Sequence, residues 1–132
     1  MKNLIFGIAA VFMILAAHTQ QKATSYQPLS LSLECAGRDC PLLRGAPQSS
    51  GMRSGYVRLN PGESVGKHST EDHEEALVIL QGEGRAEVEG HDAVPISSRH
   101  LIYIPPRATH NVTNTGSGVL EYVYVVAPIG DR

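Results

Sequence analysis

The chain has 132 residues, 42% of them hydrophobic, and a formal charge of −2 from eleven Lys and Arg against thirteen Asp and Glu. That length carries one domain, and the hydrophobic share excludes a wholly disordered chain. The basic residues are scattered singly, which argues against nucleic-acid and anionic-membrane partners and leaves no room for a DNA-reading helix pair.

Lys2 and the apolar run Leu4–Ala17, followed by polar residues 18–22, have the pattern of a secretory signal. The run is short for a bilayer span, and no Cys follows it to carry a lipid. A signal segment is expected over residues 1–19, with cleavage between 17 and 23. The protein is therefore expected to be exported, periplasmic or extracellular, with no membrane association beyond export.

Residues 20–51 read as a polar arm containing Pro28, Pro41 and Pro47, expected to pack along a barrel edge or stay mobile. The arm holds both cysteines, Cys35 and Cys40. In an exported protein they are expected to form a structural disulfide, whose small loop is worth roughly 2 kcal/mol. A redox or thiolate-ligand pair would have different spacing and a flanking helix.

From residue 52 to 128 the pattern is that of short strands and turns, as suits thirteen Gly and eight Pro. Gly55–Leu59 stops at Asn60-Pro61-Gly62, Glu75–Gln81 at Gly82, Arg85–Glu89 at Gly90, and Leu101–Ile104 at Pro105-Pro106. Val112–Asn114 leads into the turn Thr115–Gly118, and Leu120–Ala127 closes the set. An all-β sandwich or barrel follows.

His68, His73, Glu75 and His110 stand out within it. Neutral imidazoles with one carboxylate are the ligand set of a divalent transition metal. His73 and Glu75 lie two apart in a strand, so they share a face with Leu77 and Ile79. A carboxylate facing inward is costly without a cationic partner. His110 follows the stiff Pro105-Pro106 corner. Singly, each has a plainer reading: His68 as a surface histidine, His73 as part of a solvated acidic turn. Glu74 has the outward parity, and His91 and His100 read as surface residues.

Taken together, these residues resemble the cupin family. Its first motif is matched by Gly62, His68, Thr70, Glu75 and Gly82, and its second by Arg99, Pro105, Arg107, His110 and Asn114, with every spacing kept. Thr70 stands where the family has a second histidine, and Arg99 and Arg107 where it has glycines. The resemblance implies a single jelly-roll β-barrel of six to eight strands with one divalent metal (iron, manganese, nickel, copper or zinc) at its mouth. His73 would substitute at the broken position; otherwise His68, Glu75 and His110 form the site, with the Thr70 hydroxyl behind them. Asn114 would serve the turn after it.

Expected pocket residues are Tyr56, Arg58, Thr70, Tyr103, Arg107, Tyr122 and Tyr124, with parity left open. The expected function is metal-dependent binding of, or action on, a small organic ligand. If the protein is an enzyme, the resemblance implies a dioxygenase, lyase or isomerase; the alternative is a non-catalytic module for a sugar, another small molecule or the metal itself. The family's barrels are often dimeric, and the apolar outer face around Val78 and Leu80 points the same way, so a homodimer is expected.

Overall fold

The computed structural model describes residues 25–130, and every helix or strand assigned among them is a strand. The expected signal segment, residues 1–19, lies outside the described residues. The strands are β1 (Asp39–Arg44), β2 (Arg53–Leu59), β3 (His68–Ser69), β4 (His73–Gln81), β5 (Glu83–Val88), β6 (Val94–Ser97), β7 (Leu101–Ile104), β8 (Thr109–Asn114) and β9 (Leu120–Pro128). They form two antiparallel sheets, one in the order β1-β2-β9-β4-β7 and one in the order β3-β8-β5-β6.

The expected six to eight strands become nine among the described residues. One addition, β1, lies inside the arm and pairs with β2 at the edge of the first sheet. Its sequence hides it, because Pro41 donates no hydrogen bond and a register shift between Pro41 and Leu43 breaks the alternation. Beyond the six segments marked in the sequence there are also β3, two residues long, and β6, which contains a proline, Pro95; both are edge strands. Cys35 and Cys40 are disulfide-bonded, which ties the arm to β1.

The core sits between the sheets. Val57 and Leu59 of β2, Leu77 and Ile79 of β4, Ile102 and Ile104 of β7, and Leu120 and Tyr122 of β9 face Ala86, Val88, Ile96 and Val112 of the second sheet. Each strand contributes every second residue, as the pleat requires. Each fully buried Leu or Ile contributes about 1.5–3 kcal/mol.

Asn114 does more than serve its turn. It is buried, accepts from Gly116 N at 2.9 Å, and donates to Gly118 O and to Leu59 O at 2.8 Å each. The bond to Leu59 ties the β8–β9 turn to the first sheet.

The motif positions that change chain direction carry positive φ. Gly62 and Gly82 have φ of 83° and 91°, and Arg99 and Arg107 have 66° and 58°. Both arginines thus occupy glycine-type backbone, at a strain of roughly 1–2 kcal/mol each. Gly62 and Gly82 differ in their surroundings. A Cβ on Gly62 would meet nothing within 4 Å, whereas one on Gly82 would strike the Val119 carbonyl oxygen and lie 2.6 Å from Leu120 Cα. Gly62→Ala should therefore lose only the backbone term, about 1 kcal/mol, and Gly82→Ala about 3 kcal/mol or more. Thermal melts of the two variants check this; equal losses would show that the close approach at Gly82 carries no cost.

Candidate metal centre

Register creates the site. His68 of β3 stands directly opposite His110 of β8, so both side chains leave the second sheet on the same side. Their ring centroids are 4.2 Å apart, with the planes inclined at 58°. Val88 of β5 continues the same row. Glu75 comes from β4 in the other sheet, on the face that carries Leu77 and Ile79. One ligand atom each from His68, Glu75 and His110 lies within 4.8 Å of the others. Glu75 and His110 are buried and His68 is exposed, so the group sits at the barrel mouth.

The protons are placed by backbone carbonyls. His68 Nδ1 lies 2.9 Å from Gly66 O, and His110 Nδ1 a weaker 3.4 Å from Ala108 O. A carbonyl only accepts, so each Nδ1 carries hydrogen, and in the neutral ring each Nε2 then presents a lone pair. His110 Nε2 is 3.0 Å from Glu75 Oε2. Yet it makes no hydrogen bond and is the buried side-chain polar atom left without one among the described residues. A lone pair facing a carboxylate oxygen repels it, so the pair needs a positive charge between the two atoms, which either a proton on Nε2 or a metal ion supplies. Two imidazole nitrogens and a carboxylate fit a divalent transition ion, so the donor set suits the metal the sequence implies.

His73 keeps the parity of Glu75 but begins β4 opposite Pro128, roughly 7 Å further along the strand. It is not part of the three-residue group and does not line the cavity. Thr70, at the position of the family's second histidine, is already engaged. Its hydroxyl donates to Pro105 O at 2.8 Å and accepts from Ala108 N at 3.0 Å. It laces the corner that delivers His110.

The three ligands open on a cavity of about 410 Å³. Thr70, Tyr122 and Tyr124 line it. Tyr56, Arg58, Tyr103 and Arg107 do not. Tyr56 and Arg58 alternate with the inward Val57 and Leu59, so they lie on the outer face, where Arg58 pairs with Glu121 at 2.9 Å. Tyr103 is exposed and donates to Glu74, and Arg107 is exposed and paired with Asp72 at 2.7 Å.

Three charged lining residues were missed: Asp39, Arg53 and Lys67. The parity Arg53, Gly55, Val57, Leu59 carried a signal for Arg53; Asp39 sits on the unforeseen β1. Burial, and then the negative charges of Glu75 and Asp39, push the Tyr122 hydroxyl well above its ordinary pKa. Tyr124 is raised by burial first and then by Asp39 and Glu75. Both hydroxyls therefore remain neutral hydrogen-bond donors at neutral pH.

Known proteins resemble the chain in sequence and in fold. The chain is 37% identical over 70 residues to an oxalate-binding protein of Thermotoga maritima, a stretch covering 53% of this chain and 57% of the relative. It thus spans little more than half of that relative's length. A solved structure described as a predicted oxalate decarboxylase, also from Thermotoga maritima, superposes with a TM-score of 0.63 at 30% identity, covering 69% of this chain and 79% of the other. A cupin family protein with a double-stranded β-helix fold from Methanocaldococcus jannaschii superposes with a TM-score of 0.65 at 19% identity, covering 79% and 94%. The cupin domain pattern matches residues 55–126, more than half of the chain, and with both motifs folded around one barrel mouth the protein belongs to the cupin family.

Proposed function

We propose that this protein binds one divalent transition metal through His68, Glu75 and His110, and holds a small carboxylate ligand on it. The observation that carries the reading is His110 Nε2, buried, without a hydrogen bond, and facing a carboxylate oxygen at 3.0 Å. When bound, the ion supplies a Lewis acid for the ligand's oxygens. The chain's own residues do the rest. Gly66 O and Ala108 O orient the imidazoles, Tyr122 and Tyr124 donate from the first sheet, and Arg53 and Lys67 make part of the lining cationic. Neither cation has an ion pair among the described residues. The oxalate-binding relative supports a carboxylate as the ligand class.

Turnover of the bound acid is a second reading. It is favoured by the small protein donor set, since three ligands leave a six-coordinate ion with open positions. His73 is excluded from our ligand set by its place at the start of β4.

Export is part of the proposal, supported by the Cys35–Cys40 disulfide, which persists in oxidising compartments. A homodimer is also proposed. Val78 and Leu101 stand opposite each other on the outer face of the first sheet and, with Leu80, leave large apolar side chains exposed. A second copy meeting this face would bury them isologously.

Four measurements test these points. Metal analysis should find near-stoichiometric metal in wild type and in His73→Ala, and loss of most of it in His110→Ala. Full metal in His110→Ala would sink the site, and product analysis with the bound acid separates binding from turnover. Amino-terminal sequencing of protein recovered outside the cytoplasm should begin between residues 18 and 24; an intact Met1 would refute cleavage. Light scattering should give a dimer that Leu101→Glu converts to monomer, and a monomeric wild type would remove the dimer.

A further inference from the structure

The first sheet carries a ruler across its inner face. Arg53 of β2 stands opposite Val126 of β9, and Val126 stands opposite Glu75 of β4. The three residues form one row, so they share a facing, and the Arg53 and Glu75 backbones are two strand spacings apart, about 10 Å. Next along β2, Gly55 has no side chain, and the hydroxyl end of the Tyr124 ring occupies that space. A neutral hydroxyl donor therefore lies beside the Arg53 row. Val57, Val65, Val112 and Val126 supply apolar lining to the same cavity.

Arg53 is the arginine that lines the cavity, and like Arg44 and Arg99 it has no ion pair among the described residues. Arg58, Arg85 and Arg107 each pair with a carboxylate, on Glu121, Glu87 and Asp72 respectively. Asp39, the acidic group of the lining outside the metal ligands, stands opposite Val57, four residues from Arg53 along β2, and its charge acts on the two tyrosines.

Resting on the metal-dependent carboxylate reading above, we infer that Arg53 is the second anchor of the ligand, and that the site takes a longer dicarboxylate with an apolar middle. One carboxylate goes to the metal position and the other to the Arg53 guanidinium, with the carbon chain crossing Val126. A planar guanidinium holds a carboxylate through two parallel hydrogen bonds. The backbones that carry the two anchors stand two strands apart, and a cavity of about 410 Å³ has room well beyond a two-carbon diacid, which favours the longer acids.

The test is calorimetric titration of the metal-loaded full-length protein with oxalate, malonate, succinate, glutarate and the monoacid butyrate, beside metal analysis and a thermal melt. Succinate or glutarate should bind at least about tenfold more tightly than oxalate or butyrate. Arg53→Gln should remove that advantage, lowering the diacid-to-monoacid affinity ratio about tenfold, with metal content and melting temperature unchanged. Arg53→Lys, which keeps a point charge without the fork, should retain part of the ratio. Tightest binding by oxalate, no binding by any diacid, or an unchanged ratio in Arg53→Gln would overturn the inference with the metal site intact. Failure to take up metal would instead overturn the reading on which it rests.

Discussion

The buried approach of His110 Nε2 to Glu75 Oε2, across the gap between the two sheets, is the constraint around which this barrel is arranged. Deeper in the barrel the sheets meet through Leu, Ile and Val, which need only fill space. At the mouth they meet through an imidazole lone pair and a carboxylate, which attract each other only through an intervening positive charge. That demand explains the stiffness nearby. His110 follows the Pro105-Pro106 corner, Thr70 laces the corner through two hydrogen bonds, and Ala108 O orients the ring.

The passage from core to site is gradual and follows the pleat. Along the inner face of β9, Leu120 packs in the core, Tyr122 packs while bordering the cavity, Tyr124 lies over Gly55, and Val126 separates Arg53 from Glu75. One strand thus serves stability at one end and ligand contact at the other, with the same alternation throughout. The departures from the family pattern fall on this plan in different ways. Arg99 and Arg107 keep glycine-type backbone and cost strain without moving the strands. Thr70 gives up a ligand position and becomes part of the support for His110.

Much of the fold was legible locally. Glu75–Gln81 and Leu120–Ala127 are apolar runs of strand length, Arg85–Glu89 alternates, and Gly or Pro marks the end of each. The types of the candidate metal ligands were legible as well, since an inward carboxylate beside inward Leu77 and Ile79 calls for a cation. β1 and β6 were not legible: each holds a proline and lies at a sheet edge, so neither has the hydrogen-bonding or burial pattern that marks a central strand.

By itself, then, the sequence determined the barrel class, the spacing of the motifs and the inward facing of Glu75, because side-chain alternation and turn preference depend on neighbours along the chain. Only the tertiary structure decided that His73 stands apart from the group that His68 forms with Glu75 and His110, and that Arg53 and Asp39 reach the cavity while Tyr56, Arg58, Tyr103 and Arg107 do not. Those outcomes depend on cross-strand register and on which sheet faces which. A shift of one residue in pairing exchanges the two faces of a strand, and no local pattern around His73 or Arg53 records the partner strand that settles it.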